Sequence, residues 1–211
     1  MGEVHLAVIH DGQRPTIFNG RALRARRQYQ NKIKIALAAK PTRLQRGSRR
    51  WRSKRKQLRK LDHQIRDILH KQTTALVSPL HASRVQTVAI GDVRDLRQGV
   101  DYGSAVNQRI HQMVTGKVRW MITYKAARRG MRVVLQDEAY TSQECPHRGH
   151  RHKARGRVYA CPACGFRVHR DGVGAVNIRR KYLGLSPVVG AMASPTGVRW
   201  HRPWSPLAMH C

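Results

Sequence analysis

The chain has 211 residues, 40% of them hydrophobic, enough for one medium domain with an insert or for two small ones, each with a core. Forty-two Lys and Arg against 11 Asp and Glu give a formal charge of +31, so the compact state repels itself unless a polyanion neutralises it, and nucleic acid is the expected partner. The first residues carry no signal-like basic head, no window reaches the length of a membrane span, and the charge runs from Arg21 to Arg202 rather than along one amphipathic helix. A cytoplasmic protein with no membrane partner is expected.

Residues 4–9, followed by Asp11-Gly12, predict a strand ending in a tight turn, with residues 15–18 as the return strand. Over 21–40, Leu23, Tyr29, Ile33, Ala36 and Leu37 keep helical spacing, and Pro41 closes the segment. A second helix is predicted over 48–77, where Trp51, Leu58, Leu61, Ile65, Leu69 and Leu76 recur at helical intervals and Pro79 lies just beyond. Ten of the twenty residues from 41 to 60 are Lys or Arg. A charge run usually marks a solvated face, but this density around a tryptophan exceeds what solubility requires. Arg43, Arg46, Arg49, Arg50, Trp51, Arg52, Lys54, Arg55, Lys56, Arg59 and Lys60 are therefore candidate nucleic-acid contacts.

Residues 85–90 predict a strand ending at Gly91-Asp92. A helix is predicted over 107–129, with Ile110, Val114, Val118 and Met121 inward and Gly130 at its end, then a strand over 131–135. Strand, helix, strand at this spacing implies a right-handed crossover and a parallel pair, hence a mixed α/β sheet. Residues 145–168 form a cysteine-bearing insert and 171–183 a short helix. The tail from 186 to 211 shows no periodicity and is expected to lack regular order.

Three of the four cysteines fall within twenty positions, which suits metal binding in a reducing compartment better than a disulfide framework. Cys161-Pro-Ala-Cys164-Gly165 has the spacing of a metal knuckle, and a structural zinc site needs four ligands. The upstream Cys145-Pro-His147-Arg148-Gly149-His150 sits at a suitable distance, but carries Arg where a second cysteine would stand. Three readings follow: completion by His147, His150 or His152, a degraded ribbon that holds zinc weakly, or thiols unrelated to metal. Cys211, the last residue, is expected to be a free thiol.

Metal-dependent phosphodiester chemistry would have to draw on the eleven acids, since two-metal sites hold ions about 3.5 to 4 Å apart with several carboxylates. Asp92, at a strand end, and Asp171, at a helix start, are well placed. Their plainer roles are a turn residue and a helix N-cap.

Thr141-Ser-Gln-Glu-Cys145, Cys161-Pro-Ala-Cys164-Gly165, His169-Arg-Asp171 and Ala175-Val-Asn177-Ile178 resemble the C-terminal end of TnpB (OrfB) proteins of bacterial insertion sequences, relatives of the small type V CRISPR effectors. Gly47-Ser-Arg-Arg-Trp51 and Tyr124-Lys-Ala are similar to that family as well, and the resemblance runs from Met1 to about Leu183. It implies an RNase H-like (RuvC) α/β domain over 1–136 with a basic helical insert at 21–77. It further implies a zinc-ribbon-like insert at 137–168, a final RuvC helix at 169–185 and the tail at 186–211. The implied function is RNA-guided DNA cleavage, with Mg²⁺ at the catalytic carboxylates, Zn²⁺ in the ribbon, and DNA and guide RNA as partners in a bacterial, nucleoid-associated setting.

In the family the Asp of the Arg-Asp pair is the third catalytic carboxylate, which carries over to Asp171. The first would fall just before Met1, and the usual Glu falls on Gly91, leaving neighbouring Asp92 as the substitute. With Arg148 in the ribbon as well, the resemblance implies an N-terminally shortened form with impaired catalysis, lacking the half that grips guide RNA and target duplex. It would work as a nuclease remnant, or as a nuclease-dead binding module or subunit, completed by a separate N-terminal subunit or by self-association. A zinc-ribbon module that docks another protein is a third reading.

Overall fold

A computed structural model describes residues 4–39, 44–92, 103, 114–186 and 198–201. The elements in chain order are β1 (His5–Ile9), β2 (Thr16–Asn19), α1 (Arg21–Ala38), α2 (Arg49–Ala82), β3 (Thr87–Asp92), α3 (Thr115–Ala127), β4 (Arg132–Asp137), β5 (Val158–Ala160), β6 (Arg167–His169), α4 (Arg170–Tyr182) and β7 (Arg199–His201). Residues 107–113 of the predicted helix, Arg43 and Cys211 lie outside the described residues.

The mixed α/β character is as expected, but the strands divide among small sheets. β1 and β2 form the anticipated antiparallel hairpin, and β7 adds to β2 in parallel. β7 thus lies within the stretch expected to lack regular order. β3 and β4 pair in parallel across α3, as strand–helix–strand spacing predicts, and β5 and β6 form an antiparallel hairpin. β1 and β3 are not paired with each other. Both line a cavity of about 310 Å³ whose apolar wall includes Leu76, Leu80, Ile122 and Ile178.

α2 departs from its predicted end. Pro79 cannot donate to the carbonyl four residues back, a defect that normally stops a helix. Here the helix continues to Ala82 because Leu76, Val77 and Leu80 are buried and hold its last turns on the core. It stops by a Schellman closure, in which Arg84 takes a left-handed φ of 54° and the amides of Arg84 and Val85 donate to the carbonyls of His81 and Leu80. α3 ends in the same way at Gly130, with φ of 72° and Met131 N–H bonded to Ala126 O.

The core joins Leu6, Ala7 and Phe18 of the first hairpin to Ile65, Leu69, Leu76 and Val77 of α2 and to Val118, Met121 and Ile122 of α3. One buried cation ties the two helices. Lys125, 7% exposed, donates from Nζ to His70 O at 2.6 Å, Thr73 Oγ1 at 2.8 Å and Thr74 Oγ1 at 2.7 Å. All three ammonium protons are satisfied, which is what a buried charge requires. Burial, reinforced by Arg129, still holds its pKa below the ordinary lysine value. Lys125→Met keeps the bulk and removes the donors, and is expected to cost roughly 2 kcal/mol, read as a lowered denaturant midpoint. An unchanged midpoint would mean that the ammonium contributes nothing to holding α2 against α3.

Candidate metal sites and nucleic-acid interface

The cysteine module is two copies of one loop. In the first, Cys145 N–H donates to His150 O at 2.9 Å and Gly149 N–H to Cys145 O at 2.8 Å. In the second, Cys161 N–H donates to Phe166 O at 2.9 Å and Gly165 N–H to Cys161 O at 2.9 Å. Gly149 and Gly165 take φ of 68° and 70°, a left-handed turn that costs a glycine nothing. The two loops therefore correspond residue by residue, and Arg148 stands where Cys164 stands in the other copy.

The two loops bring the sulfurs of Cys145, Cys161 and Cys164 within 4.8 Å of one another, with Cys145 and Cys164 at 3.7 Å. This group includes neither His147 nor His150. His147 lies against Phe166 at 4.4 Å between ring centroids, and its Nε2 is buried without a hydrogen-bond partner. His150 serves through its backbone carbonyl, and His152 packs edge-on to Tyr159. Burial pushes the Cys145 thiol up to about 11 against the opposing pull of two backbone amides. Cys161 goes the other way, because amides of Ala163 and Cys164 and the neighbouring thiols outweigh its burial. Three thiols in amide-bearing knuckles fit a zinc ion with one coordination position left open.

The module is coupled to α4. Tyr159, fully buried, donates its hydroxyl to Gln143 O and His150 O at 3.3 Å each. Asn177 donates from Nδ2 to Thr141 O at 2.8 Å and Glu144 O at 2.7 Å, while its Oδ1 accepts from Arg180 at 3.0 Å. The turn before Cys145 is thus pinned to the helix that begins beside Asp171.

Asp171 does not gather with Asp92. Its group is His5, His169 and Asp171, with ligand atoms all within 4.8 Å. His5 Nδ1 lies 2.6 Å from Asp171 Oδ2, and the Asp171 amide donates to His169 Nδ1 at 3.2 Å, so His169 caps α4. Burial alone would raise the Asp171 pKa, but the His5 hydrogen bond and the charges of His169, His5 and Arg170 hold it below the usual carboxylate value. Asp92 pairs with Arg119 at 3.7 Å. Next to it, the Glu138 side chain occupies the space that a Cβ on Gly91 would take, so any larger residue at 91 would require that side chain to move. Burial and the charges of Asp92 and Asp137 push the Glu138 pKa up. Sequence reasoning did not single out His5 or Glu138. An imidazole opening an otherwise apolar strand was the signal for His5, whereas Glu138 left none.

The basic stretch forms the start of α2. Ser48 caps it, its Oγ accepting from Trp51 N–H at 3.2 Å. The first fully buried residue of the helix is Leu61, so residues 49–60 extend the helix about 18 Å along its axis ahead of that point, at 1.5 Å per residue. Arg46, Arg49, Arg50, Arg52, Arg55, Lys56, Arg59 and Lys60 are exposed, Lys54 is half-buried, and Arg55 lies 5.2 Å over the Trp51 ring. No acid sits in the first turn. Arginines at the positive end of the helix dipole are locally unfavourable, and an anion there would relieve that cost. Behind this segment a polar cleft of about 370 Å³ is lined by Arg27, Lys34, Arg59, Arg66 and Lys117 around Gln30 and Asp62.

The family model of the Cas12f1-like TNB domain matches residues 116–178, from α3 through the cysteine module into α4. A TnpB-like protein of Methanocaldococcus jannaschii is 27% identical over 166 residues, which are 78% of this chain and 56% of that protein. A TnpB-like protein of Acidianus two-tailed virus is 28% identical over 145 residues, 68% of this chain and 30% of its own length. These matches support a TnpB-type protein. Its fold agrees with that of Cas12f1 in a complex with single guide RNA and target DNA, at a TM-score of 0.55, 15% identity, and coverage of 80% of this chain and 44% of that one. A CRISPR-Cas12f ternary complex gives 0.54 at 16% identity, covering 80% and 35%. The chain spans between about a third and a little over half of each protein it matches. Among the described residues no helix is long and apolar enough to cross a membrane.

The duplicated loop makes one substitution decisive. Arg148→Cys places a fourth thiol where the second knuckle has Cys164, and zinc affinity, measured by competition against a chromophoric chelator, is expected to rise about tenfold or more. Unchanged affinity would mean that the two loops are not halves of one site.

Proposed function

We propose that this chain is a transposon-associated nucleic-acid-binding protein of the TnpB type, built on a RuvC-like fold with a zinc-ribbon insert, and that it engages RNA and DNA without cleaving them by itself. The observation that carries the reading is the start of α2, where eight Lys and Arg in the twelve residues 49–60 surround a tryptophan and bury nothing. Such a segment has no role in the core, and its charge is neutralised best by phosphates. Trp51 adds a flat surface on which a base can stack. Fold neighbours held in complexes with guide RNA and target DNA support both nucleic acids as partners.

Impaired cleavage follows from the carboxylates. The family's second acid falls on Gly91, beside which the Glu138 side chain takes up the space, and Asp171 is engaged by His5. A magnesium pair needs several carboxylates on shared ions, and among the described residues no group compact enough for a single ion holds both Asp171 and Asp92. The fragment of function that remains is binding.

Two outcomes follow. Arg49, Lys56 and Lys60 are exposed on one face of α2, and replacing all three by Ala is expected to weaken duplex and RNA binding alike. The slope of log affinity against log salt should become shallower by about 0.9 for each duplex phosphate that the variant no longer neutralises. An unaltered slope would remove α2 from the interface. With Mg²⁺, the purified chain is expected to leave supercoiled plasmid intact, and nicking abolished by Asp171→Ala would overturn the impairment.

A further inference from the structure

We propose that His5, His169 and Asp171 form a metal site of their own, separate from the cysteine cluster, that takes a divalent first-row transition ion of the zinc class in preference to magnesium. The proposal rests on the ligand set alone and stands whether or not the chain binds nucleic acid.

Three elements converge there: the first residue of β1, the last of β6 and the second of α4. One ligand atom from each lies within 4.8 Å of the other two, a spacing that an ion bonded to all three at about 2.1 Å can bridge with small adjustments. The donors are two imidazoles and one carboxylate. Imidazole nitrogen suits zinc, iron, cobalt and nickel, whereas magnesium demands an octahedron of oxygens and keeps much of its water. Among the described residues the group holds one carboxylate beside two histidines, a donor set that discriminates against the ion that two-metal cleavage uses.

The surroundings fit a metal better than a simple ion pair. His5 is 5% exposed while the Asp171 side chain is 35% exposed, so the site is walled on one side and open to solvent on the other. An ion would keep positions for water or an anion. Trp200 of β7 packs edge-on against both imidazoles, at 5.4 Å from His5 and 6.0 Å from His169, and the two imidazoles meet at 4.9 Å. Their orientations are thereby restricted before any ion arrives, which lowers the cost of organising the ligands. On loading, the ion replaces the proton shared by His5 Nδ1 and Asp171 Oδ2, and that proton passes to water.

The test is a Co²⁺ titration of the full chain. Cobalt on thiolates shows sulfur-to-metal charge transfer in the near ultraviolet, and cobalt on imidazole and carboxylate shows only visible d–d bands. Two Co²⁺ per chain are expected. His5→Ala and His169→Asn should each weaken one of them by about tenfold or more while the thiolate band persists, reporting an intact cysteine module. Asn at 169 keeps an acceptor for the Asp171 amide, so α4 retains its cap. Cys161→Ser with Cys164→Ser should remove the thiolate band and leave one Co²⁺ that Zn²⁺ displaces and millimolar Mg²⁺ does not. A single Co²⁺ per unmodified chain, a second one indifferent to both histidine substitutions, or displacement by Mg²⁺ would overturn the proposal.

Discussion

With 42 cations and 11 acids, most positive charges in this chain have no acid available to pair with, and the fold is arranged around that imbalance. Lys125 is buried by surrounding its ammonium with three oxygens that carry no formal charge. Arg180, also buried, rests on Asn177 Oδ1 and Leu185 O. Most of the remaining charge is carried outward, and its densest part is moved clear of the core by starting α2 twelve residues before its first buried side chain. Over three turns without a fully buried residue the helix is stabilised by its Ser48 cap, by continuity with the packed half and by α1 packed along α2. Repulsion among its arginines then becomes a standing preference for phosphate.

The acids that remain acquire sharply different environments. Asp171 is held ionised by its histidine neighbours, Glu138 is pressed toward the neutral form by burial, and Asp92 lies beside Arg119. Glu138 and Asp92 are near enough for their charges to interact, whereas Asp171 is bonded to His5, and the reading we place first is binding. The cysteine module reaches the same region mechanically. The Tyr159 hydroxyl holds its hairpin to the first knuckle and the Asn177 side chain holds α4 to the turn before Cys145, so zinc in the module would brace the helix that presents Asp171.

Much of this was legible in the residues. The first hairpin, the two long helices, the parallel pair across α3 and the cysteine knuckle each announce themselves locally, through turn glycines, helical spacing or thiol spacing. What was missed depends on residues far apart in the chain. Pro79 reads as a stop until the burial of Leu76, Val77 and Leu80 is known. Gly91 reads as a missing glutamate, but only the fold reveals that Glu138 fills the space beside it. His5 meets Asp171 across 166 positions, a pairing that no periodicity encodes. Arg148 is the reverse case: its oddity was plain in the sequence, and the fold supplied its meaning by showing that its loop copies the other knuckle.

If surplus positive charge on a projecting helix defines this protein, a polyanion must stabilise the folded chain as well as bind it, because it removes repulsion that the native state suffers. The direct measurement is thermal unfolding of the full chain with and without an equimolar short duplex or RNA, repeated at high salt. The account predicts that nucleic acid raises Tm by several degrees at low salt and that the gain vanishes as salt is added. A Tm indifferent to nucleic acid at low salt, or a gain that persists unchanged at high salt, would contradict it.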